Sequence, residues 1–539
     1  MSVFNPTTQQ KAATNYPGNM VITACPGSGK TTVIQNKITA ITSELPSHKG
    51  VVAITFTNKA SIELKKRCVS GAHDIKQSFF GTIDSFCYKE LILPFLPRVW
   101  EGKVVDREVI KGLSPFHKSF FLDDYKSPDL ESIERDKGFK SLYDEGYLWM
   151  ASFSGLALYI LNESYAARRY IKARYSHVFI DEYQDSSLAQ HQLFLKLFEL
   201  GLVATAVGDK AQSIYEFRGG DSGLLEELVK DAKLFKHFEI DVNHRCHTSI
   251  NNYATKLLHP EAEIVNCDEI RIFRRNLNGN LTDIGAAISE WISSWLEQGA
   301  WGVEAASDFA LLVRKDKSLK LLASGLTVKH RAYTNTPLDD MGTQCADLYK
   351  ELLSFKYGAI ETAQELIEKV LSPTVVSDIG LKKIRGSILQ LREGKTSEEV
   401  IDSFREVAYL AGEERTLDED KAVEVIVNED SKYQFMPLDK NEVQVMTLHK
   451  SKGLEFKVVF HFDLEEWSFP FQKVVDNDWE NPTYPSYGQE INLHYVGITR
   501  AENCCILVRS QYRQNRNGSF KNSSPSLFLK LPQLEGLYK

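Results

Sequence analysis

The sequence predicts an α/β protein whose strands lie in parallel sheets. Three observations carry that expectation. Apolar runs of four to six residues recur without the polar alternation of a half-exposed strand, as expected of strands covered on both faces. Segments with helical periodicity separate many of them, the rhythm of strand–helix–strand units. Two long stretches, about 90–170 and 332–437, keep helix-like spacing with few strand signals and read as mainly helical insertions.

Taken in order, the run Met20–Ala24 leads straight into Ala24-Cys25-Pro26-Gly27-Ser28-Gly29-Lys30-Thr31-Thr32. Gly27 and Gly29 let the backbone curl so that its N–H groups face a phosphate chain. Lys30 can reach β- and γ-phosphates, and the Thr31 hydroxyl can ligate Mg²⁺. Ala24 stands where the general pattern has its first glycine. Val51–Phe56 is the next buried run, followed by a helix pattern over Ala60–Arg67. His177–Ile180 ends on Asp181 and Glu182. After a phosphate-binding loop, such a pair reads as a metal ligand (Asp181) and a base for the attacking water (Glu182). Ala189–Phe198 reads as a helix. Val203–Val207, Phe309–Val313, Val443–Met446 and Val458–Phe462 complete the buried strands, and Cys504–Cys505 lie beside another apolar strand pattern. These parts imply ATP and Mg²⁺ as cofactors. Phosphoryl transfer also needs cations over the developing charge, for which Arg245 and Arg500 are the candidates.

Composition narrows the function classes. The 539 residues exceed one hydrophobic core and suggest three or four domains. With 43% hydrophobic and 25% charged residues the chain is expected to fold in solution. No apolar run reaches membrane-spanning length, and MSVFNPTTQQK has no targeting pattern, so a cytoplasmic protein is expected. A formal charge of −8 argues against coating nucleic acid through overall charge, but leaves room for a motor with one local groove. The eight cysteines show no zinc spacing and read as reduced, mostly buried thiols. The acidic stretch Gly412–Asp420 reads as a solvated loop or helix face, with partner docking as the alternative. Arg509, Arg513, Arg516 and Lys521 read as a solvated tail, with DNA contact as the alternative.

The ordered motifs resemble those of superfamily 1A DNA helicases of the UvrD/Rep/PcrA type. Asn5-Pro-Thr-Thr-Gln9-Gln10 resembles the Q motif that reads adenine, with Gln9 favoured and Gln10 open. Thr55-Phe56-Thr57-Asn58-Lys59-Ala60 is similar to motif Ia, Gly81-Thr82-Ile83-Asp84-Ser85-Phe86 to motif Ib, and Asp181–Asp185 to motif II. Val207–Gly219 is similar to motif III, Asn243-His244-Arg245 to motif IV, Phe309–Arg314 to IVa, Thr447–Phe456 to motif V and Tyr495–Ala501 to motif VI.

The resemblance implies two RecA-like P-loop NTPase motor domains with ATP between them. Residues 1–90 and 165–240 would form the first motor (1A), carrying a helical insertion at 91–164 (1B). Residues 241–331 and 438–539 would form the second (2A), carrying a reduced insertion at 332–437 (2B). It further implies that Gln212 senses the γ-phosphate, Arg245 and Arg500 close onto the phosphates, His244 stacks on adenine and Glu455 holds the ribose. Phe56, Thr57, Asn58, Thr82, Tyr215, Phe217, Arg218, Thr447 and His449 would face single-stranded DNA, with 3′–5′ movement. Asp84 replaces the usual His of motif Ib, and His244 the usual Tyr of motif IV. Only about 130 residues separate Arg314 from Val443, far fewer than in the larger helicases. Compact relatives of this kind occur in phage-defence systems, the helicase-like subunit of Gabija among them. That leaves two expected roles: an autonomous helicase acting on single strands or junctions, and a DNA-end-sensing ATPase that regulates a partner nuclease of the OLD/TOPRIM type.

Overall fold

Two six-stranded sheets, every strand pairing parallel to its neighbours, organise the computed structural model. It describes residues 6–56, 58–70, 73–101, 108–110, 112–213, 221, 223–341, 343–370, 378–394, 396–411, 415–475, 478, 482–514 and 518–539. The chain separates into two compact units, one built on Met1–His244 and the other on most of the chain from Arg245 onward.

In the first unit the strands are β1 (Met20–Ala24), β2 (Gly50–Ile54), β3 (Phe79–Gly81), β4 (Tyr175–Ile180), β5 (Val203–Gly208) and β6 (Lys236–Ile240). Their spatial order is β3-β2-β4-β5-β1-β6. The register sets Ile22 beside Val207 and Phe238, and Ile180 beside Ile54 and Ala206. The carboxyl ends of β4, β5 and β1 therefore finish side by side, where open α/β sheets bind ligands. Every residue of β2 is buried. Its Val51, Val52 and Ile54 each contribute about 1.5–3 kcal/mol by leaving water, which explains a run with no polar alternation.

The segment between β3 and β4 is mainly helical, ending in Phe153–Glu163 and Tyr165–Arg174, with one short parallel pair, Glu108–Ile110 against Tyr147–Trp149. Phe95, Leu96, Phe139 and Leu156 share one continuous core with Val52 and Val178 of the sheet.

The second unit contains β7 (Ile272–Leu277), β8 (Phe309–Val313), β9 (His330–Tyr333), β10 (Val443–Thr447), β11 (Phe456–His461) and β12 (Ala501–Ser510), in the order β9-β10-β8-β11-β12-β7. Between β9 and β10 lie helices that include Gln344–Lys356, Ser397–Ala411 and Leu417–Asn428. They close around their own core of Tyr349, Leu352, Phe404, Val407 and Val423, separate from the core under the sheet.

Two surface expectations are corrected. Within Gly412–Asp420, Glu419 and Asp420 are buried, not solvated. Glu419 completes a capping box with Thr416, the reciprocal bond that satisfies free amides at a helix start. Asp420 accepts from Arg405 at 3.0 Å, Arg415 at 2.7 Å and the Tyr349 hydroxyl at 3.3 Å, because a buried carboxylate needs partners. Residues 412–414 lie outside the described residues. Of the basic tail, Arg509 donates to Ser523 O at 2.8 Å, and Arg513 donates to the carbonyls of Glu466 and Trp467. These two arginines tie the C-terminal segment to the sheet, whereas Lys521 is exposed and Arg516 lies outside the described residues.

Candidate functional site

The loop after β1 is built from its glycines outward. Gly27 (φ 68°) and Gly29 (φ 78°) are left-handed, a region that strains residues with a Cβ. Helix Lys30–Glu44 starts directly after Gly29, and no side chain caps its N-terminus. Its first-turn amides and dipole therefore face the loop, the arrangement that attracts phosphate. The Cys25 amide donates to Ile240 O at 3.2 Å and its thiol to Asp241 O at 3.3 Å, fastening the loop to the end of β6. The Ser28 hydroxyl donates back to Cys25 O at 2.7 Å. Pro26 is buried, and Thr31 and Thr32 are half-buried on the first helical turn.

The two N-terminal glutamines separate cleanly. Gln10 is buried: its side chain accepts from the Thr7 amide at 2.7 Å and donates to Ser28 O at 2.8 Å, bracing the loop from behind. Gln9 is exposed and donates to Asp241 Oδ1 at 3.2 Å. His244 is exposed too, and its amide donates to Gly27 O at 3.0 Å.

Lys30 points along the loop, its Nζ 3.3 Å from Ala24 O and 3.8 Å from Asp209 Oδ2. Asp209 follows β5. Burial pushes its carboxyl upward, opposed by Lys30 and by the Gln212 amide, which donates to Oδ2 at 2.7 Å. Asp181 continues the β4 ladder by donating its amide to Ile54 O at 2.9 Å. Glu182 then adopts φ 56°, a left-handed conformation costly for a residue with a side chain. Its carboxylate accepts from Gln184 Nε2, and Gln184 Oε1 accepts from the Asp209 amide at 2.9 Å. Lys30, Glu182 and Gln212 are thereby joined in one network. Asp209 and Gln184, its connecting residues, were not among the sequence candidates. Their only signal is position inside motifs III and II.

In the second unit Arg500 is 1% exposed. Its Nε donates to Val496 O at 3.1 Å and its Nη1 to Leu454 O at 3.1 Å, joining the loop after β10 to helix Tyr487–Ile498. Arg245 forms an ion pair with Glu455, so two residues expected at phosphate and ribose meet each other. Thr447 closes β10 and is buried, and His449 is half-buried in the loop that follows.

Phe56, just beyond β2, is 39% exposed. Thr82 caps helix Ile83–Phe86 by accepting from the Ser85 amide at 3.3 Å. Asp84, in that helix, has its carboxyl pushed up to about 6 by burial. Asn58 opens helix Asn58–Val69. Thr57, Tyr215, Phe217 and Arg218 lie outside the described residues.

A glycine-turned loop between a buried parallel strand and a helix, with lysine at the helix start and acidic residues at the ends of the next two strands of the sheet, defines a P-loop NTPase. An AAA domain matches residues 9–218, and a UvrD-like helicase C-terminal domain matches residues 364–512. The chain belongs to the UvrD-like helicases of superfamily 1. It is 28% identical to the Gabija protein GajB of Bacillus cereus over 91% of this chain and 93% of that protein. It is 24% identical to the ATP-dependent DNA helicase Rep of Buchnera aphidicola over 97% of this chain and 98% of Rep. With the ATP-dependent DNA helicase PcrA of Staphylococcus aureus the identity is 22%, over 97% of this chain and 85% of PcrA.

Proposed function

We propose that this protein is an ATP-dependent single-stranded DNA translocase with 3′–5′ helicase activity. The observation that carries the reading is the meeting of Lys30, Glu182, Asp209 and Gln212 at the ends of three adjacent strands. The left-handed glycines and the uncapped helix start fit a triphosphate; Thr31 and Asp181 are oxygen donors of the kind Mg²⁺ takes. Bound there, Mg²⁺ would neutralise charge on the transferring phosphoryl group.

In this reading Lys30 pairs with the β- and γ-phosphates, Glu182 takes a proton from the attacking water, and Gln212 contacts the γ-phosphate. Gln9 meets the adenine edge, since the Gln10 amide is already engaged on both sides. His244 stacks on the base. Arg245 and Arg500 supply positive charge over the phosphates, with Glu455 holding both the ribose and Arg245. Closure on ATP and release after hydrolysis would move the grip on one strand by a hinge transition. The exposed ring of Phe56 supports a stacking role worth about 1–3 kcal/mol per base. Thr57, Asn58, Thr82, Thr447 and His449 complete the strand path with Tyr215, Phe217 and Arg218.

ATPase assays with and without single-stranded DNA, alongside unwinding of duplexes with 3′ or 5′ tails, test this directly. DNA-stimulated hydrolysis and unwinding from 3′ tails only are expected. An ATPase indifferent to DNA would remove the translocase reading, and unwinding from 5′ tails would remove the polarity.

A second reading is favoured by one specific observation: the match to GajB, 28% identical over 517 residues, is no longer than this chain and so needs few insertions. The Rep alignment runs over 649 positions, longer than this 539-residue chain. In that reading the same motor senses DNA ends and regulates a partner nuclease. Co-purification with the products of neighbouring genes distinguishes the two: a stable complex with a nuclease supports it, and full unwinding by the isolated chain opposes it.

A further inference from the structure

Gln184 is one of the most completely buried polar side chains near the site, at 0% exposure. The orientation of its amide is settled by chemistry. The Asp209 backbone N–H can only donate, so the side-chain atom 2.9 Å from it must be the carbonyl Oε1. The NH₂ group is thereby turned toward the Glu182 carboxylate, to which it donates. Oε1 also occupies the space a side chain at 208 would need: a Cβ built on Gly208 would come within 2.7 Å of it. Glu182 itself sits at φ 56°, so its backbone does not favour this placement unaided. The amide is thus hydrogen-bonded to two acidic residues, Glu182 through its carboxylate and Asp209 through its backbone, and Lys30 Nζ stands 3.8 Å from Asp209 Oδ2.

We infer that Gln184 is a positioning residue for hydrolysis, which fixes the Glu182 carboxylate against the end of β5 and holds β4 and β5 in register at the site. The inference rests on Glu182 acting as the base and names the residue that aims it. Gln184 touches neither nucleotide nor water in this account and acts only through Glu182. A side chain at 208 would push the amide out of this position.

The test uses the full-length protein with Mg·ATP and saturating single-stranded DNA. Gln184→Glu keeps the acceptor for the Asp209 N–H but replaces the donor facing Glu182 with a second acceptor. A base displaced by about an ångström loses on the order of a hundredfold in rate. The expected result is kcat lowered about tenfold to a hundredfold, with KM for ATP and the affinity for a fluorescent ATP analogue within about threefold of the parent. Gln184→Met, nearly isosteric and apolar, is expected to show the same split and decides the matter if Gln184→Glu does not fold. A kcat within threefold of the parent, or kcat and nucleotide affinity falling together, overturns the inference. Glu182→Gln is measured in parallel. If it turns over normally, the base assignment fails; if it is inactive while Gln184→Glu is unaffected, only the positioning role fails.

Discussion

Replacing Asp84 with asparagine isolates the energetic effect of an acid placed where the family usually has a histidine. Asp84 lies in the short helix Ile83–Phe86, half-buried, with its carboxyl pushed up to about 6 from an ordinary 3.8 by burial. The sign follows from linkage. Below 3.8 the acid is protonated in both folded and unfolded chains and has no effect. Between 3.8 and 6 the unfolded chain ionises first, so folding stability falls as pH rises; above 6 the loss is constant. A shift of about two units corresponds to about 3 kcal/mol, and partial exposure reduces that to about 1–3 kcal/mol. The asparagine side chain has the same shape as aspartate and no charge. Urea unfolding of Asp84→Asn and its parent at several pH values should give a stabilisation of about 1–3 kcal/mol at pH 8 that shrinks to near zero at pH 4. A stability difference unchanged between pH 4 and 8 would refute the argument, since it would have to come from packing or hydrogen bonding rather than charge.

Other expectations concern the site and the second unit. Lys30→Ala should abolish ATP hydrolysis, while Glu182→Gln should bind ATP yet lose turnover by about two to four orders of magnitude, read by steady-state kinetics and nucleotide binding. Single-stranded DNA should raise ATPase activity severalfold. Arg331, 5% exposed and paired with Glu442, should on change to Met cost about 3 kcal/mol in chemical denaturation, because Glu442 loses its buried guanidinium partner and is left with the exposed Lys329, 3.4 Å from its Oε1. Double substitution with Glu442→Gln should recover part of that loss.

The interior of both sheets was legible in the sequence because β1, β2, β4, β5, β8, β10 and β11 are covered on both faces and read as unbroken apolar runs. The strands that escaped notice are β3, β6, β7 and β9, the four that lie at sheet edges. Lys236-His-Phe-Glu-Ile and Ile272-Phe-Arg-Arg-Asn-Leu carry charge because one face or one edge meets solvent, and that pattern is not distinguishable from a loop in isolation. The phosphate-binding loop was readable because its glycines and lysine are contiguous. The Lys30–Asp209 approach spans 179 positions and exists only because β5 pairs beside β1, so no local pattern could announce it. The same limit applies to Asp420: it looked solvated among acidic neighbours, whereas Arg405, Arg415 and Tyr349 converge on it in the fold.

Movement along a strand is the claim on which the rest depends, and streptavidin displacement measures it without requiring duplex unwinding. Oligonucleotides biotinylated at one end and loaded with streptavidin are mixed with protein and Mg·ATP, with Lys30→Ala as the inactive control. Displacement from the 5′ end alone, dependent on ATP and absent in the control, is the predicted result. Streptavidin retained at both ends during rapid ATP hydrolysis would contradict a translocating motor.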